Sequence, residues 1–370
     1  MNRFFRIYVL PGAVLQSVMI GGGYGTGREI VEYFTQYGVW GGVAGLSVAT
    51  VCIAIVFALS LEVSRRFQVY DYRRFFQVLL GRYWIAYEIL AVVLFTLVIA
   101  VIGAAAGEIL NGELGLANLY GVAIILVAVV VLNFYGRELV TKVLASWSVL
   151  LYAVLITYLV TVFVTMSDAF TLGLEHSDMR DGWFVSGMQY SFYNVTGIPI
   201  ILYAAMAIET RREALSAGVI GALIAMVPAL MLHLSFIAEY PSVLDADLPV
   251  YKIFSGLGFP LLKFAYLIVL FGTFIETGAG SIQGFIERLD GWWAERHEQP
   301  IKRLAHGCVA GVAVLLAGSL SAVGIVALIA DGYGTLAWGF FIVYVVPLLT
   351  IGVYKTFISD NSRYSVKNLT

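Results

Sequence analysis

The chain has 370 residues, of which 60% are hydrophobic and only 12% charged, with a net charge of −2 and a mean hydropathy of +0.89. Soluble domains carry about 25% charged residues, so this composition excludes a soluble globular protein and defines a membrane class. The near-neutral charge says nothing about partners. The two cysteines, Cys52 and Cys308, lie in apolar stretches and read as buried free thiols, with no disulfide framework.

Apolar runs close to the length of a bilayer crossing fall at residues 8–36, 39–62, 85–110, 119–135, 138–166, 184–208, 214–238, 260–287, 304–327 and 333–355. The first has no small-residue cleavage site and reads as a retained span rather than a signal peptide. It is interrupted by Gly-Gly-Gly-Tyr-Gly-Thr-Gly at 21–27. Each glycine costs a helix roughly 1 kcal/mol relative to alanine. Non-helical backbone at membrane depth is tolerated only inside protein or beside a wet cavity. The run therefore predicts a break at which something polar binds, followed by a helix over 28–37. The N-terminus of that helix would favour an anion, such as the carboxylate of an amino acid. Gly23, Tyr24, Gly25, Thr26 and Gly27 are solute-site candidates. Arg28, Glu29 and Glu32 are gate candidates, or a structural network near the surface, because charges at this depth are costly unless paired or functional.

Between the second and third runs, residues 63–84 form a loop carrying Arg65, Arg66, Arg73, Arg74 and Arg82. Glu88 and Glu108 read as boundary residues of the third run. Lys142 stands early in the fifth, where it either snorkels to the interface or serves ion coupling. Asp168 to Asp181 form an acidic loop. The sixth run contains Tyr-Asn-Val-Thr-Gly-Ile-Pro at 193–199. Pro199 removes a backbone donor, and Asn194, Thr196 and Gly197 offer polar groups to a solute, with Tyr190 and Tyr193 on the approach. His233 in the seventh run reads as packing or as a proton carrier. Residues 239–247 are expected to form a partly ordered hairpin. In the eighth run Thr273, Glu276 and Thr277 share one helix face at i, i+3 and i+4. With carbonyls freed at Gly21 or Gly22 they present the hard oxygen ligands that suit Na⁺, Glu276 being equally a proton acceptor. The competing reading has the threonines bonding back to their own helix. Ser281 adds a hydroxyl one turn on. In the ninth run Gly318 to Gly324 reads as a loop or kink. Trp292 and Trp293 sit at an expected membrane interface.

All but four of the 22 basic residues fall at one set of run ends. The exceptions are Arg28, Arg180, Lys252 and Lys263. This asymmetry requires an even number of spans with both termini cytoplasmic, and so agrees with ten. The two breaks lie about half a chain apart, in spans that start on opposite sides. Broken helices in matching places of two inverted halves point to a secondary-transporter site. The expected organisation is a single transmembrane unit over 1–370, with inverted repeats near 1–166 and 183–355. No loop is long enough for a nucleotide-binding domain, which argues against an ATP-driven pump. No nucleophile, metal cluster or Rossmann context appears. The basic residues, spread along one membrane face, give nucleic-acid binding no support.

Gly25-Thr26-Gly27-Arg28-Glu29, followed by Tyr33-Phe34 and Gly38, resembles the Gly-x-Gly-Gln/Arg-Glu-x-x-x-Phe-Phe run of the YkvI-like bacterial membrane proteins. Gly103 to Glu108 is similar to that group's small-residue run. Asn133 and Gly136 are similar to the Asn-x-x-Gly opening of the fifth span in amino acid permeases. The group belongs to the amino acid–polyamine–cation superfamily. The resemblance implies an all-α integral membrane protein of ten transmembrane helices in a prokaryotic cytoplasmic membrane, with a LeuT-like 5+5 inverted repeat and broken helices 1 and 6. It also implies a Na⁺ site between spans one and eight, here at Gly21, Thr273 and Thr277, and a lysine of span five, here Lys142, standing in for Na⁺ in proton-coupled relatives. It names no cargo. The expected function is ion-coupled symport of an amino acid or related zwitterion driven by Na⁺ or H⁺, with no other cofactor and with membrane lipid as surroundings. A receptor that binds a solute on the same fold is the alternative. A channel ranks third and an intramembrane enzyme last. Oligomeric state is left open.

Overall fold

The computed structural model describes the backbone of residues 2–135, 137–175, 179–297 and 303–358. Side chains are described for these except at 132–149, 151, 283–285, 287, 289–292 and 294–310. Every regular element among the described residues is helical.

A wide turn at Phe5–Val9 leads into α1 (Leu10–Met19), where Pro11 stands in the first turn and its missing N–H costs nothing. Ile20 leaves the helix and Gly21 is extended. The chain then recoils as α2 (Gly22–Thr26), reverses at Gly27 with φ +83°, and continues as α3 (Arg28–Tyr33) and a 3-10 turn at Thr35–Tyr37. The irregular backbone expected across 21–27 is thus confined to Ile20–Gly21 and Gly27, and the helix expected over 28–37 is two shorter pieces. The reason is backbone accounting. A helical turn lets Gly25 N–H reach Gly21 O at 2.8 Å, a partner that neither lipid nor an extended strand would supply.

α4 (Val39–Phe67) and α5 (Tyr72–Leu80) follow, the latter capped by Asp71, whose side chain accepts the Arg74 N–H at 2.9 Å. Next come α6 (Ile85–Leu114), α7 (Asn118–Tyr135), α8 (Arg137–Thr165) and α9 (Ser167–Glu175). α8 and α9 meet at an 81° bend. α10 (Trp183–Asn194) runs directly into a 3-10 helix at Val195–Ala205 that contains Pro199. α11 (Arg211–Phe236) opens with a reciprocal Thr210–Glu213 capping box. The hairpin expected at 239–247 is instead two 3-10 turns, Ile237–Glu239 and Ser242–Asp245, leading to α12 (Pro249–Gly256). Pro249 pre-sets the first helical φ there. α13 (Pro260–His297), α14 (Arg303–Ser321) and α15 (Ile325–Ile358, with several wide turns) complete the chain. α14 runs through Gly318, and the turn falls at Gly324, φ +97°.

Among the described residues, five helical stretches are long and apolar enough to cross a membrane: Val39–Phe67, Tyr72–Leu114, Arg211–Glu239, Pro260–Ile282 and Ile325–Ile358. The bent α8–α9 pair makes a sixth. The protein is therefore a multi-pass helical membrane protein.

α4 packs along α11 and α10, and α11 also packs against α1. Without a hydrophobic driving force between helices in lipid, small residues allow close backbone approach. Gly218 of α11 lies against the Ala58 backbone of α4, and Gly12 of α1 against Gly221. Gly218→Leu is expected to force α4 and α11 apart, at or above the about 1–3 kcal/mol of ordinary overpacking. In detergent its thermal midpoint should fall by about 4 °C or more; an unchanged midpoint would contradict the close contact.

His233 is a satisfied core residue. Its ring nitrogens engage Thr35 Oγ1 at 2.9 Å and Val39 O at 3.0 Å, and Gly42 packs on the ring.

Candidate functional site

The turn formed by α1, α2 and α3 is wedged among α6, α11, α12, α13 and α15. A side chain at Gly22 would meet Ile102, one at Gly25 would meet Leu270, and one at Gly27 would meet Phe236 and Val250. Tyr266 of α13 donates to Gly25 O at 3.0 Å, and Thr26 Oγ1 donates to Gly23 O at 2.9 Å. The polar atoms of the turn are thus largely held by protein.

Arg28 and Glu29 part company after Gly27. Arg28 donates to Leu244 O at 2.9 Å, to Ala246 O at 3.0 Å and to Glu32 Oε2 at 2.8 Å. Gln36 Nε2 bonds Glu32 in turn. This network ties α3 to the segment before α12. Glu29, expected with the gate, is not in it. Its side chain is 4% exposed and accepts the Tyr193 hydroxyl at 2.6 Å. The Tyr24 backbone N–H also faces it, and a Cβ on Gly23 would overlap its carboxylate. Successive helical side chains diverge by about 100°, so two neighbouring charges serve two different places. The Glu29 carboxyl thus lies beside Gly23 and the Tyr24 N–H at the start of α2, and not at the N-terminus of α3, where an anion was expected.

Tyrosines surround this carboxylate. Tyr193 lies 5.5 Å from Tyr33, 5.5 Å from Tyr190 and 5.1 Å from Tyr333 between ring centroids. Tyr33 donates to Ile329 O at 3.0 Å. The Tyr24 and Tyr190 hydroxyls are buried with no hydrogen-bond partner. The first and sixth segments therefore meet through Glu29 and Tyr193.

The polar groups of the second turn are otherwise turned inward. Asn194 Nδ2 donates to Tyr190 O at 2.9 Å and Thr196 Oγ1 to Tyr193 O at 2.6 Å. Pro199 has no N–H to give Thr196 O, its 3-10 acceptor; Tyr87 of α6 donates there instead, at 3.0 Å. Gly197 packs on Val18.

At the eighth segment, Thr277 lies against Gly21: a Cβ built on the glycine would sit 3.5 Å from Thr277 Cγ2. Thr273 donates to Val269 O at 2.9 Å, and Ser281 to Thr277 O at 2.8 Å. Each back-bonded hydroxyl keeps its lone pairs, so the oxygens remain chemically suited to a cation. Glu276 is half-buried and makes no ion pair among the described residues. The side chains of Lys142, Asn133 and Trp292, with Cys308 and all of Gly136, lie outside the described residues.

Sequence reasoning missed Tyr33, Tyr333, Tyr87 and Tyr266. Tyr33 alone carried a signal, one turn beyond Glu29. It also missed the ion pair at the far end of the bundle, Arg288 Nε to Glu88 Oε1 at 2.7 Å, with the guanidinium over the rings of Tyr72 and Phe95. Glu88, read as a boundary residue, is part of that cluster. Glu108 accepts from Asn118 Nδ2 at 2.6 Å.

An interrupted first helix and a 3-10 sixth segment thus lie on either side of a polar centre. The comparisons show that the fold is of the LeuT type. A Na⁺-coupled sialic acid symporter in its substrate-bound outward-open state superposes with a TM-score of 0.64 at 13% identity, over 92% of this chain and 79% of the symporter. Mhp1, a nucleobase-cation-symport-1 family transporter, gives 0.60 at 15% identity, over 97% and 80%. MhsT in complex with L-phenylalanine gives 0.58 at 15%, over 94% and 89%. In sequence, the membrane protein YkvI of Bacillus subtilis strain 168, itself uncharacterized, is 25% identical over 287 residues, 73% of this chain and 78% of YkvI. No family model matches the chain.

Proposed function

We propose that this protein is a secondary active transporter, an ion-coupled symporter of a small organic solute such as an amino acid or related zwitterion. It works by alternating access in a prokaryotic cytoplasmic membrane and is not an enzyme. The observation that carries this reading is the buried Glu29 carboxylate joined to Tyr193 across the first and sixth segments, in a fold shared with transporters. A buried charge between two interrupted segments marks a solute or ion pathway. The ten apolar runs form two oppositely oriented halves, near 1–166 and 183–355, with both termini cytoplasmic. Arg28 and Glu32 close the outer side, and Glu88 with Arg288 the inner.

Na⁺ is the coupling ion at Gly21, Thr273 and Thr277, where the eighth segment packs against the first through the Thr277 methyl. Glu276 and Lys142 are the proton-coupling alternative. The test is uptake into proteoliposomes under separate Na⁺ and H⁺ gradients. Thr277→Ala should lower Na⁺-driven uptake at least tenfold, and loss of about 1.4 kcal/mol of ion affinity suffices for that. Glu276→Gln should leave Na⁺-driven uptake within threefold. The reverse pattern would assign coupling to the proton. Solute binding without counterflow would favour the receptor alternative.

A further inference from the structure

The two interrupted segments are each held by one tyrosine hydroxyl, and the two holds match residue for residue. At the α12 end, Tyr266 of α13 donates to Gly25 O at 3.0 Å. Its ring stacks on Phe254 of α12 at 4.6 Å between centroids. Phe254 lies 4.7 Å from the ring of Tyr158 on α8, whose hydroxyl meets Ser235 Oγ on α11 at 3.0 Å. At the α5 end, Tyr87 of α6 donates to Thr196 O at 3.0 Å. Its ring stacks on Phe76 of α5 at 3.7 Å. Phe76 lies 5.1 Å from the ring of Tyr344 on α15, whose hydroxyl meets Ser60 Oγ on α4 at 2.8 Å. All eight of these side chains are buried. Ser60, Phe76 and Tyr87 recur in the same order about half a chain later as Ser235, Phe254 and Tyr266, and Tyr158 recurs as Tyr344. α5 and α12 stand at opposite ends of α6. α5 leads into its start, and Tyr251 of α12 donates to Glu113 near its end. The two nodes are therefore one arrangement used twice, the second time inverted. Each ties the third helix of one half to the first of the other.

Both acceptors are carbonyls that the backbone leaves open. Gly25 lies in the last turn of α2, where carbonyls have no helical partner. Thr196 O would take the N–H of residue 199 in a 3-10 turn, and Pro199 has none. At membrane depth a carbonyl without a donor is costly, so each hydroxyl is needed while its segment is seated. α12 packs on α2, and α5 packs on the 3-10 segment. Each node thus closes one end of the molecule only. We propose that Tyr266 and Tyr87 are paired positioning residues: Tyr266 holds the first segment closed at the α12 end, Tyr87 holds the sixth closed at the α5 end, and loss of either hydroxyl opens that end alone. The assignment rests on the transporter reading above and on its two inverted halves.

The test reads opening by maleimide labelling of single buried cysteines, in the full chain in detergent with Cys52→Ala and Cys308→Ala. Val250→Cys on α12, beside Gly27, reports the α12 end, and Leu202→Cys in the 3-10 segment reports the α5 end. Tyr266→Phe keeps the stacked ring and removes the hydroxyl. It should raise the labelling rate of Val250→Cys about fivefold, the worth of one ordinary hydrogen bond, and leave that of Leu202→Cys unchanged or slower. Tyr87→Phe should do the opposite. A merely structural role would raise both reporters together in either variant. Pro199→Ala returns an N–H to Thr196 O, so it should cancel the effect of Tyr87→Phe and leave that of Tyr266→Phe intact. Reporters that rise together, rise at the wrong end or stay still would overturn the proposal. So would an effect of Tyr87→Phe that survives Pro199→Ala. Either tyrosine variant decides the sidedness if the other fails to fold. Labelling needs no flux, which separates the two claims. One-sided opening without counterflow of leucine or any other amino acid keeps this assignment and counts against the amino acid transporter. Counterflow with reporters that do not move does the reverse.

Discussion

Gly27→Ala is expected to reduce solute uptake to less than a tenth of wild type while the protein still inserts and purifies. Gly27 has φ +83°, a left-handed conformation that costs a residue with a Cβ roughly 1–2 kcal/mol. Space compounds the strain. The new carbon would stand 2.5 Å from Phe236 Cζ and 2.8 Å from Val250 Cγ2, so either the ring of α11 or the start of α12 must move. Backbone strain and overpacking together reach about 2–5 kcal/mol, concentrated where the chain sends Arg28 one way and Glu29 the other. Initial rates in proteoliposomes, normalised to reconstituted protein, check this. Rates within twofold of wild type would show that the reversal at Gly27 is dispensable.

The second large effect belongs to Arg28. Arg28→Ala strips the partners from Leu244 O, Ala246 O and Glu32 at once. Breaking a fully buried pair costs about 3–5 kcal/mol. The cost here is lower, because the Glu32 side chain keeps 17% exposure. Even about 1.4 kcal/mol shifts an open–closed equilibrium tenfold. The expected result is a segment 242–246 that opens more often. It is read as at least a tenfold faster maleimide reaction of Ala246→Cys, in a background of Cys52→Ala and Cys308→Ala. Coupled uptake should fall in parallel. Arg28→Lys should recover only part, since one ammonium does not reproduce the fork that reaches two carbonyls and a carboxylate. An unchanged labelling rate in Arg28→Ala would show that the segment is held by other contacts.

Much of this architecture was legible in the sequence. Apolar run length placed the long helices, because the bilayer fixes how much apolar chain a crossing needs. The glycines at 21–27 marked the first interruption, although 22–26 are helical and only Gly21 and Gly27 leave the helix, and Pro199 marked the 3-10 segment. The contact between the first and eighth segments followed from the family resemblance. What escaped the sequence is where side chains point. Glu29 and Arg28 look like one charged pair on paper, yet as successive residues of α3 their side chains diverge by about 100° and meet different surroundings. The second turn looked like a set of open polar groups. Pairing decided otherwise: Tyr87, far away in sequence, takes Thr196 O, and Asn194 and Thr196 bond their own helix. The tyrosine cage is assembled from α2, α3, α10 and α15, and no local pattern announces such a gathering among 22 tyrosines.

α3 is short, six residues, and Arg28 and Glu29 at its start carry different loads. Arg28 bears the loop before α12, and Glu29 bears Tyr193 of α10. A rotation that lifts the arginine from its carbonyls must also swing the glutamate off Tyr193. Release of the loop and release of α10 are then one motion, with one free energy. Linkage makes the exchange symmetrical: the factor by which the Tyr193 contact tightens the loop is the factor by which a tightened loop strengthens that contact.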